Sequence, residues 1–214
     1  MIMRVKICGM MRPKDIVAAV ENGADAVGFV VGSPSSPRNL KLSRARALFK
    51  HVPVFTTKVA VTSATQPGTI FRICSMLRPD AVQLHKHSPN IVRLIRKRLP
   101  GTSIILAAAI QDRRSVATAT RTSDYSDAIL ADSPSNTGMG GTGRTHDWEL
   151  TAKLRNRIYP HPLILAGGLT PANVQQAIRK IRPFAVDVSS GVEKRIGIKD
   201  HEKIKLFIDK ARGL

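Results

Sequence analysis

Acidic residues are scarce in this chain: 15 Asp and Glu stand against 34 Lys and Arg, for a formal charge of +19 over 214 residues. So basic a balance points to an anionic partner, either nucleic acid or a phosphorylated metabolite, or else to a solvated basic surface. Aromatic residues are also few, at 4%, which is thin for a protein that stacks on bases, so a nucleic-acid partner is not expected. Much of the charge lies in stretches such as Arg93-Leu94-Ile95-Arg96-Lys97-Arg98 and Arg179-Lys180-Ile181-Arg182. There the apolar residues keep helical spacing and the charges fall between them, as on the outer face of a helix.

Cysteine is limited to Cys8 and Cys74. Two cysteines far apart in a chain of this size define no disulfide framework, so both read as reduced thiols of an intracellular, cytoplasmic protein. Met1 to Met3 are followed at once by Arg4 and Lys6, so no export leader is expected. No apolar run approaches the roughly 20 residues needed to span a bilayer, which leaves no membrane partner. There is no His/Cys/Asp/Glu cluster with metal spacing, no Walker A loop and no G-x-G-x-x-G after a strand. Linkers and low-complexity tails are absent too, and 1–214 reads as one domain.

What the chain has is a repeated unit. Arg4-Val5-Lys6-Ile7-Cys8-Gly9-Met10 is a short apolar strand that ends on a thiol and a glycine, and Pro13 to Asn22 follows with helical spacing. Further strands are predicted at Asp25 to Val31, Val54 to Val61, Asp80 to Leu84, Ser103 to Ala108, Asp127 to Ala131, Pro162 to Ala166 and Phe184 to Val188. Helices are predicted from Ser43 as cap to His51, from Pro67 to Leu77, from Ser88-Pro89, from Gln111 to Arg121 and from Glu149 to Arg157. Two more start at Thr170-Pro171 and near Asp200. Eight strands, each followed by a helix, mean a parallel sheet with helices outside it, and eight such units close into a single (β/α)8 TIM barrel. An open doubly wound sheet is the alternative.

In such a barrel the residues just past each strand carry catalysis. Gly140-Gly141-Thr142-Gly143, Gly167-Gly168 and Ser189-Ser190-Gly191 follow strands six, seven and eight. Glycine lets backbone N–H groups turn onto an anion, and helix starts after strands seven and eight would add positive charge. Gly141, Gly143, Gly167, Gly168, Ser190 and Gly191 are therefore candidate phosphate binders. Cys8 and Asp132 end strands one and six and can act as base and acid on one substrate, provided positive charge lowers the thiol pKa. Each has a plainer reading, a small buried residue for Cys8 and a cap for Asp132. Arg38 is either a fork for a carboxylate or one more surface arginine. Asp187, inside an apolar strand, either binds ligand or pairs with a basic residue such as Lys6. His85, ending strand four, either faces the mouth or serves structure.

Lys6-Ile7-Cys8-Gly9, Gly23 to Phe29, Ser36-Pro37-Arg38, Gln83-Leu84-His85 and Asp132 with Gly140 to Gly143 resemble the phosphoribosylanthranilate isomerase family. So do Asp147-Trp148, Leu165 to Leu169 and Asp187 to Glu193, in order along the whole chain. The sequence departs from the family pattern at Lys86-His87, at Val61-Thr62-Ser63 and in the polar stretch Ser133 to Met139. The resemblance implies a cofactor-free, metal-free Amadori rearrangement of tryptophan biosynthesis on a phosphorylated substrate. By the same resemblance Cys8 is the general base, Asp132 the general acid and Arg38 the holder of the anthranilate carboxylate. Asp187 and His85 would touch substrate, and the glycine loops would cradle phosphate. Asp132→Asn would then remove the basic limb of the pH profile. The competing readings are a histidine-pathway aldose–ketose isomerase, in which an aspartate stands at the position of Cys8, and a basic RNA-binding scaffold. Whether the protein is a monomer or a homodimer is not readable from the sequence.

Overall fold

Short apolar strands alternating with amphipathic helices pack most economically as a parallel sheet covered by helices. The computed structural model describes residues 2–85, 88–133 and 147–213. Its strands are β1 (Arg4–Ile7), β2 (Ala26–Val30), β3 (Thr57–Thr62), β4 (Ala81–His85), β5 (Ser103–Ala109), β6 (Ala128–Asp132), β7 (Leu163–Leu165) and β8 (Ala185–Val188). They form a closed barrel in chain order, and β8 pairs in parallel with β1. The outer helices are α1 (Pro13–Glu21), α2 (Leu42–Phe49), α3 (Pro67–Leu77), α4 (Pro89–Arg98), α5 (Arg113–Ser123), α6 (Trp148–Ile158), α7 (Val174–Ile181) and α8 (His201–Arg212). Closure excludes the open doubly wound sheet. No helix among the described residues is long and apolar enough to cross a membrane.

Two packing zones hold the barrel. Inside it, Val30, Val59, Val61, Ile105, Leu130 and Ile164 pack together. Between strands and helices lies a larger core, to which Ile7, Phe29 and Leu84 contribute from the strands and Ile70, Ile95 and Phe207 from the helices. Burying each such side chain contributes about 1.5–3 kcal/mol. α7 has the expected two-faced pattern, with Val174, Ala177 and Ile181 buried while Arg179 and Lys180 face out. On α4, Arg96 reaches Asp127 at 2.8 Å and Arg93 reaches the Tyr125 hydroxyl at 2.8 Å. The basic runs are outer helix faces, as their spacing predicts.

Proline at the first turn opens α1, α3 and α4, where a missing N–H costs nothing. Asp112 opens α5 with a capping box, its carboxylate accepting from the Ser115 N–H at 2.7 Å. Several boundaries differ from the sequence expectation. β3 begins at Thr57 because only from there does β2 offer partners, starting with Ala26. Val54 and Phe55 are exposed ahead of it, with Phe55 at φ +71. Ser43 lies inside α2, whose N-cap is Lys41, and Ser88 caps α4 without a side-chain bond. α7 starts at Val174, after a turn in which the Asn173 Oδ1 accepts from the Thr170 N–H at 2.8 Å. The sequence also gave no hint of the hairpin of β9 (Glu193–Arg195) and β10 (Ile198–Lys199) between β8 and α8.

Candidate active site

Strand alternation decides what faces the barrel axis. In β1, Val5 and Ile7 join the helix-facing core, so Lys6 and, one step past the strand, Cys8 turn inward. The β1–β8 register sets Lys6 opposite Asp187. The Lys6 Nζ donates to Asp187 Oδ1 at 2.9 Å and to Gln83 Oε1 at 3.0 Å, and Gln83 Nε2 lies 3.3 Å from His85 Nε2. A lone ammonium buried this deeply costs several kcal/mol, so the pairing decides its state. Burial pulls the Lys6 pKa down, but Asp187 and Cys8 outweigh it and the pKa ends raised. Asp187 both pairs with Lys6 and lines the cleft.

That cleft opens to solvent at the C-terminal ends of the strands, the end where such barrels carry their chemistry. Cys8, Arg38, His85, Asp132, Asp187 and Gly168 all line it, as do Ser190 and Gly191. Cys8 and Asp132 thus converge on one mouth. Gly28 in β2 makes room for the thiol: a Cβ there would stand 2.8 Å from Cys8 Sγ and 3.2 Å from Lys6 Cε. Burial pushes the Cys8 pKa up, Lys6 and Lys199 pull it down, and the net shift is upward. The expected positive charge is therefore present, but the expected lowering is not, because losing hydration costs the thiolate more than the lysines return.

Asp132 behaves as its position suggests. Burial pushes its pKa up to about 6, against the Ser133 N–H donating to Oδ1 at 2.7 Å. Asp187 adds to the rise and Lys6 opposes it, so Cys8 and Asp132 both feel the same ion pair. Gly167, at φ +84, stands behind the carboxylate, where a Cβ would come within 2.8 Å of Asp132 Oδ1.

Arg38 is buried rather than superficial, and its guanidinium forks onto Glu193, Nε to Oε1 at 2.8 Å and Nη2 to Oε2 at 2.6 Å. Gly9 sits against it at φ +78, where an added Cβ would stand 2.6 Å from Arg38 Cδ. Of the phosphate candidates, Gly168, Ser190 and Gly191 line the cleft, Gly167 backs Asp132, and Gly141 and Gly143 lie outside the described residues. A Cβ on Gly191 would run into the Leu169 carbonyl oxygen, so the loops after β7 and β8 touch through that glycine. The helix start expected after β8 is a single 3₁₀ turn, Ser190–Val192. Gln83, Glu193 and Lys199 had no role in the sequence reading. The first two stand inside the motif stretches, and Lys199 has no local signal beyond alternation in a short strand.

Fold and cleft together define a (β/α)8-barrel enzyme with a thiol and a carboxyl facing one polar, glycine-edged mouth. A model of the family described as N-(5'phosphoribosyl)anthranilate (PRA) isomerase matches residues 5–210. The chain belongs to that family, and it is an isomerase of tryptophan biosynthesis. It is 44% identical to N-(5'-phosphoribosyl)anthranilate isomerase of Methanothrix thermoacetophila, with 98% of each chain covered. To the enzyme of Thermotoga maritima it is 41% identical, with 99% of each covered. A crystal structure of the Thermotoga maritima enzyme superposes with a TM-score of 0.89, covering 99% of this chain and all of that one. Another, of a phosphoribosylanthranilate isomerase in complex with reduced 1-(o-carboxyphenylamino)-1-deoxyribulose 5-phosphate, gives 0.85 at 38% identity, covering 99% of this chain and 100% of the other.

Proposed function

We propose that the chain converts N-(5-phosphoribosyl)anthranilate to 1-(o-carboxyphenylamino)-1-deoxyribulose 5-phosphate, with Asp132 as general acid and Cys8 as general base. Asp132 gives its proton to the ribose ring oxygen as the ring opens to a Schiff base. The Cys8 thiolate then takes the proton from the adjacent carbon, and the resulting enolamine tautomerises to the ketone. The observation that carries this reading is the shared cleft: a carboxyl with a pKa of about 6 and a thiol flanked by Lys6 both line it.

The thiol's raised pKa is compatible with a thiolate step. Ring opening creates a cationic Schiff base beside the sulfur, and a new positive charge favours the anion just when it is needed. Lys6, held charged by Asp187, assists from the floor of the barrel. With the carboxyl titrating below the thiol, the active form is the protonated acid beside the deprotonated base. In that order the rise at low pH follows thiolate formation and the fall at high pH follows loss of the Asp132 proton, so Asp132→Asn should remove the basic limb, as the sequence reading expects.

The substrate carries a carboxylate at one end and a phosphate at the other. Arg38 suits the first, since Glu193 occupies only its Nε–Nη2 edge and leaves the opposite edge to fork a second carboxylate. Gly168, Ser190 and Gly191 suit the second, and the sequence resemblance assigns Gly141 and Gly143 to the same phosphate. Asp187 and His85 line the same cleft, which supports a contact with substrate. The reading includes one barrel over 1–214, no cofactor or metal, a phosphorylated small molecule as the partner, no nucleic acid, and a cytoplasmic setting that keeps both thiols reduced.

The test is turnover of enzymatically generated phosphoribosylanthranilate, followed by the loss of anthranilate fluorescence. Cys8→Ser and Asp132→Asn should each lower kcat by about 10²- to 10⁴-fold, the usual worth of one acid or base, with little change in KM. If Cys8→Ser keeps near-normal kcat, the thiol is structural and the base lies elsewhere.

A further inference from the structure

Two buried side chains that carry no step of this chemistry tie the opposite sides of the cleft together. Glu193 opens β9, with its side chain 5% exposed. Its Oε1 accepts from both Arg38 Nε at 2.8 Å and Lys199 Nζ at 3.0 Å, and its Oε2 accepts from Arg38 Nη2 at 2.6 Å. Lys199, in β10, is 2% exposed, and its Nζ also donates to the backbone oxygen of Ser189 at 3.0 Å. Ser189 leads into the cleft-lining Ser190 and Gly191.

Arg38 and Glu193 are 155 residues apart in sequence, so the fork pins the loop after β2 to the hairpin after β8. Lys199 extends the clamp to the loop on the phosphate side. An arginine side chain is rich in rotamers, and fixing it on binding opposes affinity. Here the guanidinium is fixed before any ligand arrives. Burial alone would raise the Glu193 pKa, but the Arg38 hydrogen bonds and the Lys199 charge hold it below the usual range, so the carboxylate stays ionised near neutrality, while burial lowers the Lys199 pKa against the pull of Glu193.

We propose that Glu193 and Lys199 are positioning residues for recognition of the substrate's carboxylate. Glu193 aims the outer edge of Arg38 into the cleft, and Lys199 sets that edge in register with the Ser189–Gly191 loop. The inference rests on the reading of Arg38 as the carboxylate holder.

Through-space charge makes the opposite prediction. Removing an anion beside a cleft that takes an anionic ligand should tighten binding. Positioning predicts weaker binding, confined to ligands that carry the carboxylate.

The experiment compares two ligands by competition in the fluorescence assay. One is reduced 1-(o-carboxyphenylamino)-1-deoxyribulose 5-phosphate, and the other is the same molecule with phenylamino in place of o-carboxyphenylamino. Glu193→Gln should weaken the first about tenfold or more and change the second by no more than about twofold, the pattern of one lost ionic contact. Substrate KM should rise with kcat nearly unchanged, since the contact is made in ground and transition states alike. Lys199→Met should weaken the first ligand in the same direction. If Glu193→Gln fails to fold, as judged by its melting curve, Glu193→Asp makes the same comparison. It keeps the charge, retracts the carboxylate by one methylene, and should give the same selective loss. Equal weakening of both ligands, or unchanged or tighter binding of the first, overturns the inference. Arg38→Met separates the two levels. A selective loss there but not in Glu193→Gln sinks the positioning role alone. No selective loss in Arg38→Met sinks the reading of Arg38 and this inference with it.

Discussion

Replacing Asp132 by asparagine should make the protein far less active and more stable. The carboxyl titrates at about 6 in the folded chain against an ordinary 3.8. At pH 7 the folded state therefore holds a carboxylate it disfavours by roughly 2 pKa units, or about 3 kcal/mol. An asparagine carries no such charge, and its Oδ1 can still accept from the Ser133 N–H that now binds the carboxylate. Any unpartnered amide hydrogen offsets part of the gain, so a net 1–3 kcal/mol is expected, which for a chain of this size is roughly 3–10 °C in Tm. The pH dependence fixes the cause. A group whose folded pKa is raised destabilises fully above that value, and the effect fades as pH falls toward the unfolded value. Melting curves of wild type and variant should therefore be well separated at pH 7 to 8 and nearly coincide at pH 4. A variant less stable than wild type at pH 7, or a gap that does not shrink on acidification, would refute the electrostatic account of Asp132.

Cys8 is buried with a raised pKa, so iodoacetamide should inactivate slowly at pH 7 and faster by up to tenfold per pH unit on the alkaline side, with the reduced product analogue protecting. Gly9→Ala puts a side chain at φ +78 against Arg38, and should cost about 1–3 kcal/mol in urea melts and raise KM. Reversing the exposed Arg98 and Arg179 on the outer helices should leave kcat alone. It should lower kcat/KM a few-fold only at low salt, where the long-range field is not screened.

The barrel was legible because its signals are local and repeated. Apolar runs such as Ala26–Val30 and the prolines at the first turns of α1, α3 and α4 mark the elements directly. Position at a strand end then singled out Cys8 and Asp132, and a carboxylate inside an apolar strand left Asp187 with either a ligand or a basic partner such as Lys6. Boundaries were less legible where pairing rather than composition sets them. Val54 and Phe55 are as apolar as a strand, but they lie before the first residue with a partner in β2. Desolvation was hidden as well. A sequence displays Lys6 two residues from Cys8, yet the depth of the thiol, which decides its pKa, depends on the packing of the whole barrel. Glu193 and Lys199 were illegible for a related reason: their roles come from contacts with Arg38 and Ser189 made by a hairpin that has no strong pattern of its own.

The pH profile of kcat/KM, which reports the free enzyme's groups, tests the central claim most directly. A protonated Asp132 near 6 working with a thiolate of higher pKa predicts a flat wild-type profile between the two values, because each pH step gains as much thiolate as it loses acid. In Asp132→Asn that balance disappears, and the residual rate should climb about tenfold per pH unit from 6 to 8 as thiolate alone accumulates. A variant profile that stays flat over this range would contradict the assignment of Asp132 and Cys8 as acid and base.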